Sequence, residues 1–165
     1  GSAITPDGLC NYLDTIITTK IVYEIKGGIG TGEEALIERI KQEALERGLS
    51  VEAYYCGFNP CKLEHLVIPE ADVAFTTSNS FHTSTVAKIT SIDFMDMFDK
   101  GIIERHAFEL EQDKEKIENL IGTAVKSISN AKALHQKLED LYTRFMDFDA
   151  LERCYQSLIA EVTDS

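Results

Sequence analysis

The chain has 165 residues, enough for a single domain with its own hydrophobic core. Its 16 basic and 28 acidic residues give a formal net charge of −12, which argues against a surface for nucleic acid or for an anionic membrane. No apolar run approaches the ~18 residues that would span a membrane, and no signal-peptide pattern is present, so we expect a cytoplasmic protein. The four scattered cysteines are typical of free thiols in a reducing compartment.

The N-terminal part of the chain, about residues 3–100, has the pattern of an α/β core after an expression scar at residues 1–2. Apolar spacing predicts helices over residues 5–17, 35–48 and 61–65, and β-favouring runs predict strands over residues 20–26, 51–58 and 71–77. Gly48 is expected to end the second helix, and the pair Asn59-Pro60 the second strand. This order predicts a small parallel sheet with helical crossovers.

The remaining chain is polar at first and then strongly helical. Residues 78–90 are expected to form a loop above the C-terminal edge of the sheet, and residues 92–98 a short helix or an edge strand. From about residue 104 to residue 162 the pattern predicts a helical extension, with a last helix over residues 151–162 capped by Asp147 or Asp149. Its long helix has a seam of residues at alternating four- and three-residue steps, namely Ile117, Ile121, Ala124, Ile128, Ala131, His135, Leu138, Tyr142 and Phe145.

A glycine-rich segment joins the first predicted strand to the helix that follows it. Its residues are Gly27, Gly28, Ile29, Gly30, Thr31, Gly32, Glu33 and Glu34. The strand–loop–helix context and the G-x-x-x-x-G spacing are those of a phosphate-binding loop (P-loop), whose backbone N–H groups form a concave nest for an anion. In a P-loop the next residues are a lysine, which meets the β- and γ-phosphates, and a serine or threonine, which binds Mg²⁺.

Glu33 and Glu34 stand at these two positions, so the segment keeps the glycine spacing of the loop but inverts its charge. Two unit charges about 4 Å apart interact by ~4 kcal/mol at an effective dielectric near 20, which is about a thousandfold in a dissociation constant. Rotation of Glu33 into solvent would soften this repulsion. The loop is therefore expected either to bind an anion weakly through its backbone or to serve only as a turn between strand and helix.

Several separated motifs together resemble a family of bacterial ATPase-like proteins that carry two tandem P-loop domains. The similar segments are residues 25–32, 55–60, 67–70 and 73–75, His82, and, in the helical part, residues 131–135, 138–139 and 146–148. The resemblance extends from about residue 5 to about residue 162. It implies a P-loop NTPase fold over residues 3–165, ATP with Mg²⁺ as the ligand, and a sister P-loop domain as the partner.

The chain departs from this family where phosphate and metal chemistry need charge. Glu33 and Glu34 replace the lysine and hydroxyl of the loop, Thr77 lies where the family tends to place a Walker B aspartate, and Asn59 replaces an aspartate. Lys26 is the candidate substitute cation, but it precedes the loop. We therefore expect no catalytic residue here, no resident metal, and at most weak binding of ATP with Mg²⁺.

These observations predict a degenerate P-loop domain that does not hydrolyse nucleotide and acts structurally or in regulation. Its expected partner is the sister domain or a second copy, bound through the helical extension, unless that extension only covers the sheet. Two alternatives remain: an enzyme that binds ATP or another phospholigand with help in trans, and a helical interaction module without ligand. His82 is a candidate contact at the ligand edge. A zinc site would use Cys56, Cys61, His65 and His82, although their spacing is unlike the usual C-x2-C pattern.

Overall fold

The computed structural model describes residues 2–28, 30–79, 81, 83, 86–87 and 90–163. Two of the predicted site residues, Ile29 and His82, lie outside the described residues. The fold is α/β with a long C-terminal helix, as the sequence predicts. Among the described residues, no helix has the length and apolarity needed to cross a bilayer.

The strands are β1 (Ser2–Thr5), β2 (Gly8–Asn11), β3 (Ile21–Lys26), β4 (Glu52–Tyr55), β5 (Leu63–Ile68), β6 (Val73–Ser78) and β7 (Thr90–Asp93). The helices are α1 (Leu13–Ile16), α2 (Glu33–Glu46), α3 (Lys100–Arg105), α4 (Ala107–Thr143) and α5 (Phe148–Thr163), with short 3₁₀ turns at Pro69–Ala71 and Phe94–Met97. β1 and β2 form a separate hairpin, and the other five strands form one sheet in the order β4-β5-β6-β3-β7.

The prediction of an all-parallel sheet is wrong, because the five-stranded sheet is mixed. β3 is parallel to its neighbours β6 and β7, whereas β5 is antiparallel to both of its neighbours, β4 and β6. The segment predicted as a helix over residues 61–65 is instead the end of a turn and the start of β5, whose six residues are all buried. The turn at Asn59 closes a hairpin, with Lys62 N donating to the Asn59 carbonyl at 2.9 Å. Burial of both faces removes the alternation that marks a strand in sequence.

The helix predicted over residues 5–17 is also wrong for most of its length. Residues around Pro6 form the turn of the β1–β2 hairpin, in which Thr5 Oγ1 donates to the Gly8 carbonyl at 2.8 Å. Gly8 has a φ of +119°, which an L-residue rarely adopts and which favours a turn over a continuing helix. Only Leu13–Ile16 is helical.

The other core elements agree with the sequence to within a few residues. The strands predicted over residues 20–26 and 71–77 are β3 and β6, and the one predicted over residues 51–58 is the shorter β4. Helix α2 begins at Glu33 and is followed by Gly48, whose φ of +76° is the expected left-handed cap. The segment over residues 92–98 divides between the end of β7 and a 3₁₀ turn.

Two apolar clusters lie on opposite faces of the sheet. Helix α2 packs on one face, where Ile37 is buried with Ile25 and Leu66. On the other face, Leu13 of α1 is buried with Val22 of β3 and Ala74 of β6. These two clusters hold β3 in the middle of the fold and so fix the start of the glycine loop.

Helix α4 is confirmed as one long helix, and Asp147 caps α5, accepting from Ala150 N at 2.9 Å. The expectation that α4 covers the sheet is wrong: it packs mainly against the β1–β2 hairpin and α3. The first part of its seam is half-buried, but Leu134 is 66% exposed and Phe145 is 81% exposed. The second half of the helix therefore carries an uncovered apolar stripe.

We expect Ile37→Ala to lower the free energy of unfolding by ~2–5 kcal/mol, because it opens a cavity in the core under α2. Leu45→Ala on the same helix is the matched control, since Leu45 is 47% exposed. The Leu45→Ala change should lower the free energy of unfolding by less than about 1 kcal/mol. Urea denaturation monitored by circular dichroism measures both values, and equal losses would contradict this description of the core.

Candidate functional site: a glycine loop filled by its own glutamate

The glycine loop lies at the C-terminal end of β3, between two parallel neighbours. Gly27 N still donates to the Ser78 carbonyl of β6 at 3.0 Å, so the loop leaves the sheet only after this residue. It then leads directly into α2. Ligands of open α/β sheets bind at this edge, beyond the carboxyl ends of the strands.

Two glycines of the loop have backbone conformations that L-residues rarely adopt. Gly30 and Gly32 both have a φ of +81°, and Gly32 is the residue that precedes α2. Thr31 stabilises the turn, because its Oγ1 accepts from Gly28 N at 3.1 Å and its own N–H donates to the Gly28 carbonyl at 3.3 Å. The glycine spacing noted in the sequence is therefore a conformational requirement of this loop.

The side chain of Glu33 lies inside the loop. Glu33 is 0% exposed, and its carboxylate accepts a short hydrogen bond from the Thr31 hydroxyl. A Cβ added at Gly27 would lie 2.8 Å from Glu33 Oε2 and 2.5 Å from Thr31 Oγ1, so these two groups occupy the space beside the glycine. The alternative in which Glu33 turns into solvent is wrong. The carboxylate takes up space next to the loop backbone at Gly27.

Lys62 supplies the cation that the loop itself lacks. Its Nζ lies 2.9 Å from Glu33 Oε1 and 3.8 Å from Glu34 Oε2. Burial alone would raise the pKa of Glu33, but the hydrogen bonds from Thr31 and Lys62 outweigh it and lower that pKa. Burial would likewise lower the pKa of Lys62, but the bond to Glu33 outweighs it and raises that pKa. Both groups are therefore charged near neutral pH.

The sequence predicts Lys26 as the substitute cation, whereas the cation at the loop is Lys62. Lys26 is exposed at the end of β3, before the loop begins. Lys62 comes from the far side of the β4–β5 turn, and no spacing in the sequence links it to the loop. A prediction that places Lys62 near Glu33 requires the β4–β5 hairpin, which the sequence did not indicate.

Of the other predicted site residues, Glu34 adds a second carboxylate, whereas Asn59 and Thr77 are neutral. Glu34 is half-buried, and its Oε2 atom is buried without a hydrogen-bond partner among the described residues. Asn59 is exposed, and its side chain accepts from Cys61 N at 3.0 Å within the turn. Thr77 is 1% exposed on β6, and its hydroxyl has no hydrogen-bond partner in the described part of the chain. With Lys62, the two glutamates leave the loop with one net negative charge.

The residues considered for zinc do not form a site in the part of the chain that the structure describes. His65 is buried in β5, with Nδ1 2.9 Å from Thr76 Oγ1, whereas Cys61 is exposed. Within the described ranges, no group of three or more histidine, cysteine, aspartate or glutamate side chains is arranged to hold a metal ion.

A row of polar side chains that the sequence does not predict crosses the sheet; His65, Thr76 and Glu24 are buried, whereas Ser91 at the edge is exposed. His65, Thr76, Glu24 and Ser91 are register neighbours on β5, β6, β3 and β7. Ser91 Oγ donates to Glu24 Oε2 at 3.0 Å, and Glu24 is 2% exposed. Glu24 lies between the buried Val22 and the exposed Lys26 along β3. A glutamate at this position inside a predicted strand was the feature of the sequence that could have indicated the polar row. The row fixes the strand register from within the core.

Two hollows lie beside the loop, beneath the first part of α4. The loop cleft has a volume of about 660 Å³ and is lined by Gly28, Gly30, Thr31, Phe81, Met95, Phe98, Ile103, Leu110, Asp113, Lys114, Lys116 and Ile117. The hairpin cavity has a volume of about 480 Å³ and is lined by Leu9, Cys10, Asn11, Cys56, Phe58, Asn59, Lys62, Glu64, Asn79, Phe81, Thr83, Ile117, Leu120 and Ile121. Phe81 and Ile117 belong to both, so they separate the two hollows.

We expect Glu33→Gln to reduce the pH dependence of stability in acid. The pKa of Glu33 in the folded protein lies below its ordinary value of 4.5. Its stabilising contribution is therefore present above the unfolded pKa and is lost as the pH falls through the folded pKa. The variant should be ~1–3 kcal/mol less stable than wild type at neutral pH, and this difference should shrink towards about pH 3.

Urea denaturation at a series of pH values measures this change. Glu38→Gln is the control on the same helix, because Glu38 pairs with Lys41 at the surface, where an ion pair contributes about 0–1 kcal/mol. A difference between Glu33→Gln and wild type that is independent of pH would contradict the charged state assigned to the Glu33 carboxylate.

Comparison with models of protein families, with curated proteins and with solved structures gives no match to this chain. The arguments on function therefore depend on the geometry of the loop, the two hollows and the helical extension.

Proposed function

We propose that this chain is a P-loop-type domain that does not hydrolyse nucleotide and serves a structural or regulatory role beside a catalytically competent partner. The observation that carries the proposal is the Glu33 carboxylate, which is buried against the loop and neutralised by Lys62 at 2.9 Å. The loop thus has a buried anion against its backbone at Gly27.

The surrounding residues support a domain without phosphoryl-transfer chemistry. That reaction depends on a lysine and a metal ion at the phosphates, because its catalysis is almost entirely positioning and electrostatic stabilisation. Lys62 is already paired with Glu33, and the strand beside the loop presents the neutral Thr77 where a metal-binding carboxylate would be needed. The position of the loop between two parallel strands supports descent from a nucleotide-binding domain.

The partner in this proposal binds the helical extension. The second half of α4 and the whole of α5 have no fully buried residue, and their exposed side chains include Leu138, Leu141, Tyr142, Leu158 and Val162. Exposed apolar residues in such number along a helix are typical of an interaction site in a folded protein. The candidates are a sister P-loop domain or a second copy of this chain, and the net charge of −12 disfavours nucleic acid and anionic membranes.

Removal of the Glu33 carboxylate tests the proposal directly. We expect the wild-type protein not to bind ATP or inorganic phosphate at millimolar concentration, with or without Mg²⁺, in titration calorimetry. In Glu33→Ala the loop is emptied and Lys62 is released, so phosphate binding should become measurable. Loss of one repulsion of ~4 kcal/mol corresponds to about a thousandfold in affinity.

Glu34→Ala is the matched control, because Glu34 is half-buried and lies 3.8 Å from Lys62. Its effect on phosphate affinity should be much smaller than that of Glu33→Ala. Tight Mg²⁺-dependent binding and turnover of ATP by the wild-type protein would overturn the proposal.

A second candidate function is binding of a phosphorylated ligand in the loop cleft, with turnover assisted in trans. The observation that favours it is the charge of the cleft wall: Lys114 and Lys116 against Asp113 leave one net positive charge in a protein of net charge −12. Gly28, Gly30 and Thr31 line the same cleft, so backbone groups of the loop face the ligand space.

The double variant Lys114→Met/Lys116→Met distinguishes this candidate from the first. The two lysine changes are introduced into the Glu33→Ala protein. If the loop cleft binds phosphorylated ligands, this triple variant should bind ATP about tenfold more weakly than Glu33→Ala alone, as expected for the loss of ~1.4 kcal/mol. Lys126→Met, on the same helix but outside the cleft lining, is the control. Equal ATP affinities with and without the double change would exclude a role for the cleft lysines.

A further inference from the structure

The hairpin cavity is a second hollow that the glycine loop does not explain. Its walls come from four separate parts of the fold: the β1–β2 hairpin, the β4–β5 turn, the end of β6 with the residues after it, and α4. Its volume of about 480 Å³ lies within the ~300–1,000 Å³ range of small-molecule sites. It is large enough for a small organic molecule and too large to be a packing defect.

One side of the cavity is apolar. Its apolar side chains are Leu9, Phe58, Phe81, Ile117, Leu120 and Ile121. Most of a bound molecule's surface would therefore lie against hydrocarbon and aromatic rings, which favours a ligand with an apolar body.

The polar side of the cavity presents hydrogen-bond donors. Asn59 and Asn79 use their side-chain oxygens within the protein, accepting from Cys61 N at 3.0 Å and from Phe81 N at 2.9 Å. Each carboxamide then keeps an NH₂ group with two N–H donors. Both residues line the cavity, so a ligand that presents an oxygen acceptor at its polar end fits this side.

Both charged groups of the cavity wall have partners within the protein. Lys62 is paired with Glu33, which lies outside the lining. Glu64 is 5% exposed and accepts from the Cys56 thiol, and burial raises the pKa of that thiol, so it remains neutral. The wall has no unpaired charge to compensate a charged ligand, and the burial of an unpaired charge is costly.

From this arrangement we propose that the hairpin cavity binds an uncharged amphiphile: an apolar chain or ring with a carbonyl-type head group, placed against Asn59 and Asn79. This site differs from the glycine loop in position and in the chemistry of its ligand. Its occupation does not require the loop to bind phosphate, so the two proposals fail independently.

A series of six-carbon probes with different head groups tests the proposal on the full chain. Hexanamide, hexanoate and hexylamine share one apolar chain but carry a neutral, a negative and a positive head. In titration calorimetry we expect hexanamide to bind about tenfold more tightly than either charged probe, corresponding to ~1.4 kcal/mol. Tightest binding of hexylamine or hexanoate, equal binding of all three, or no binding of hexanamide up to its solubility limit would each overturn the proposal.

Two variants locate the binding. Asn79→Asp keeps an oxygen that can accept from Phe81 N but removes the NH₂ group, so hexanamide affinity should fall by about tenfold. Leu120→Asp places a charge on the cavity wall and should weaken hexanamide similarly. Leu134→Asp is its matched control on α4, because Leu134 is 66% exposed, Leu120 is 69% exposed, and only Leu120 lines the cavity.

Thermal denaturation shows whether each variant remains folded. Unchanged hexanamide affinity in a folded Leu120→Asp protein would show that the probe binds elsewhere and would overturn the proposal, as would an equal loss in Leu134→Asp. If Leu120→Asp does not fold, Asn79→Asp decides by the same criterion.

Discussion

The ion pair between Glu33 and Lys62 joins three parts of the fold: the glycine loop, the start of α2 and the start of β5. A buried carboxylate without a cation would be costly in this position, and a protonated one would not hold Lys62. The pair therefore makes a buried glutamate at position 33 compatible with a folded loop. The glycine loop, with left-handed backbone at Gly30 and Gly32, can in this way end in two glutamates.

The antiparallel β4–β5 hairpin makes this ion pair possible. Its turn brings Lys62 to the loop and at the same time places Phe58 and Asn59 in the wall of the hairpin cavity. In a parallel arrangement the chain after β4 would cross over the sheet, and Lys62 would not begin a neighbouring strand. The loop and the cavity thus share one structural element, although the ligands proposed for them differ in charge.

Helix α4 divides into two regions that differ in burial. Its first part contributes Ile117 to both hollows, and is half-buried there. Its second part leaves the core, and apolar residues such as Leu134 and Leu141 are exposed. The surface proposed for a partner and the residues that line the two hollows therefore lie on one continuous helix of 37 residues.

The sequence by itself determined the class of the fold, strand β3, the glycine loop, α2 and the long helical extension. These features depend on local signals: β-branched residues in a run, glycines where left-handed backbone is needed, and apolar spacing over many turns. The tertiary structure alone decided the mixed topology, the N-terminal hairpin and the partner of Glu33. Strand β5 is buried on both faces and so has no alternation to mark it, and Gly8 makes a turn where the apolar stripe indicated a helix. Lys62 and Glu33 are 29 residues apart in sequence, and only the pairing of distant strands brings their charges together.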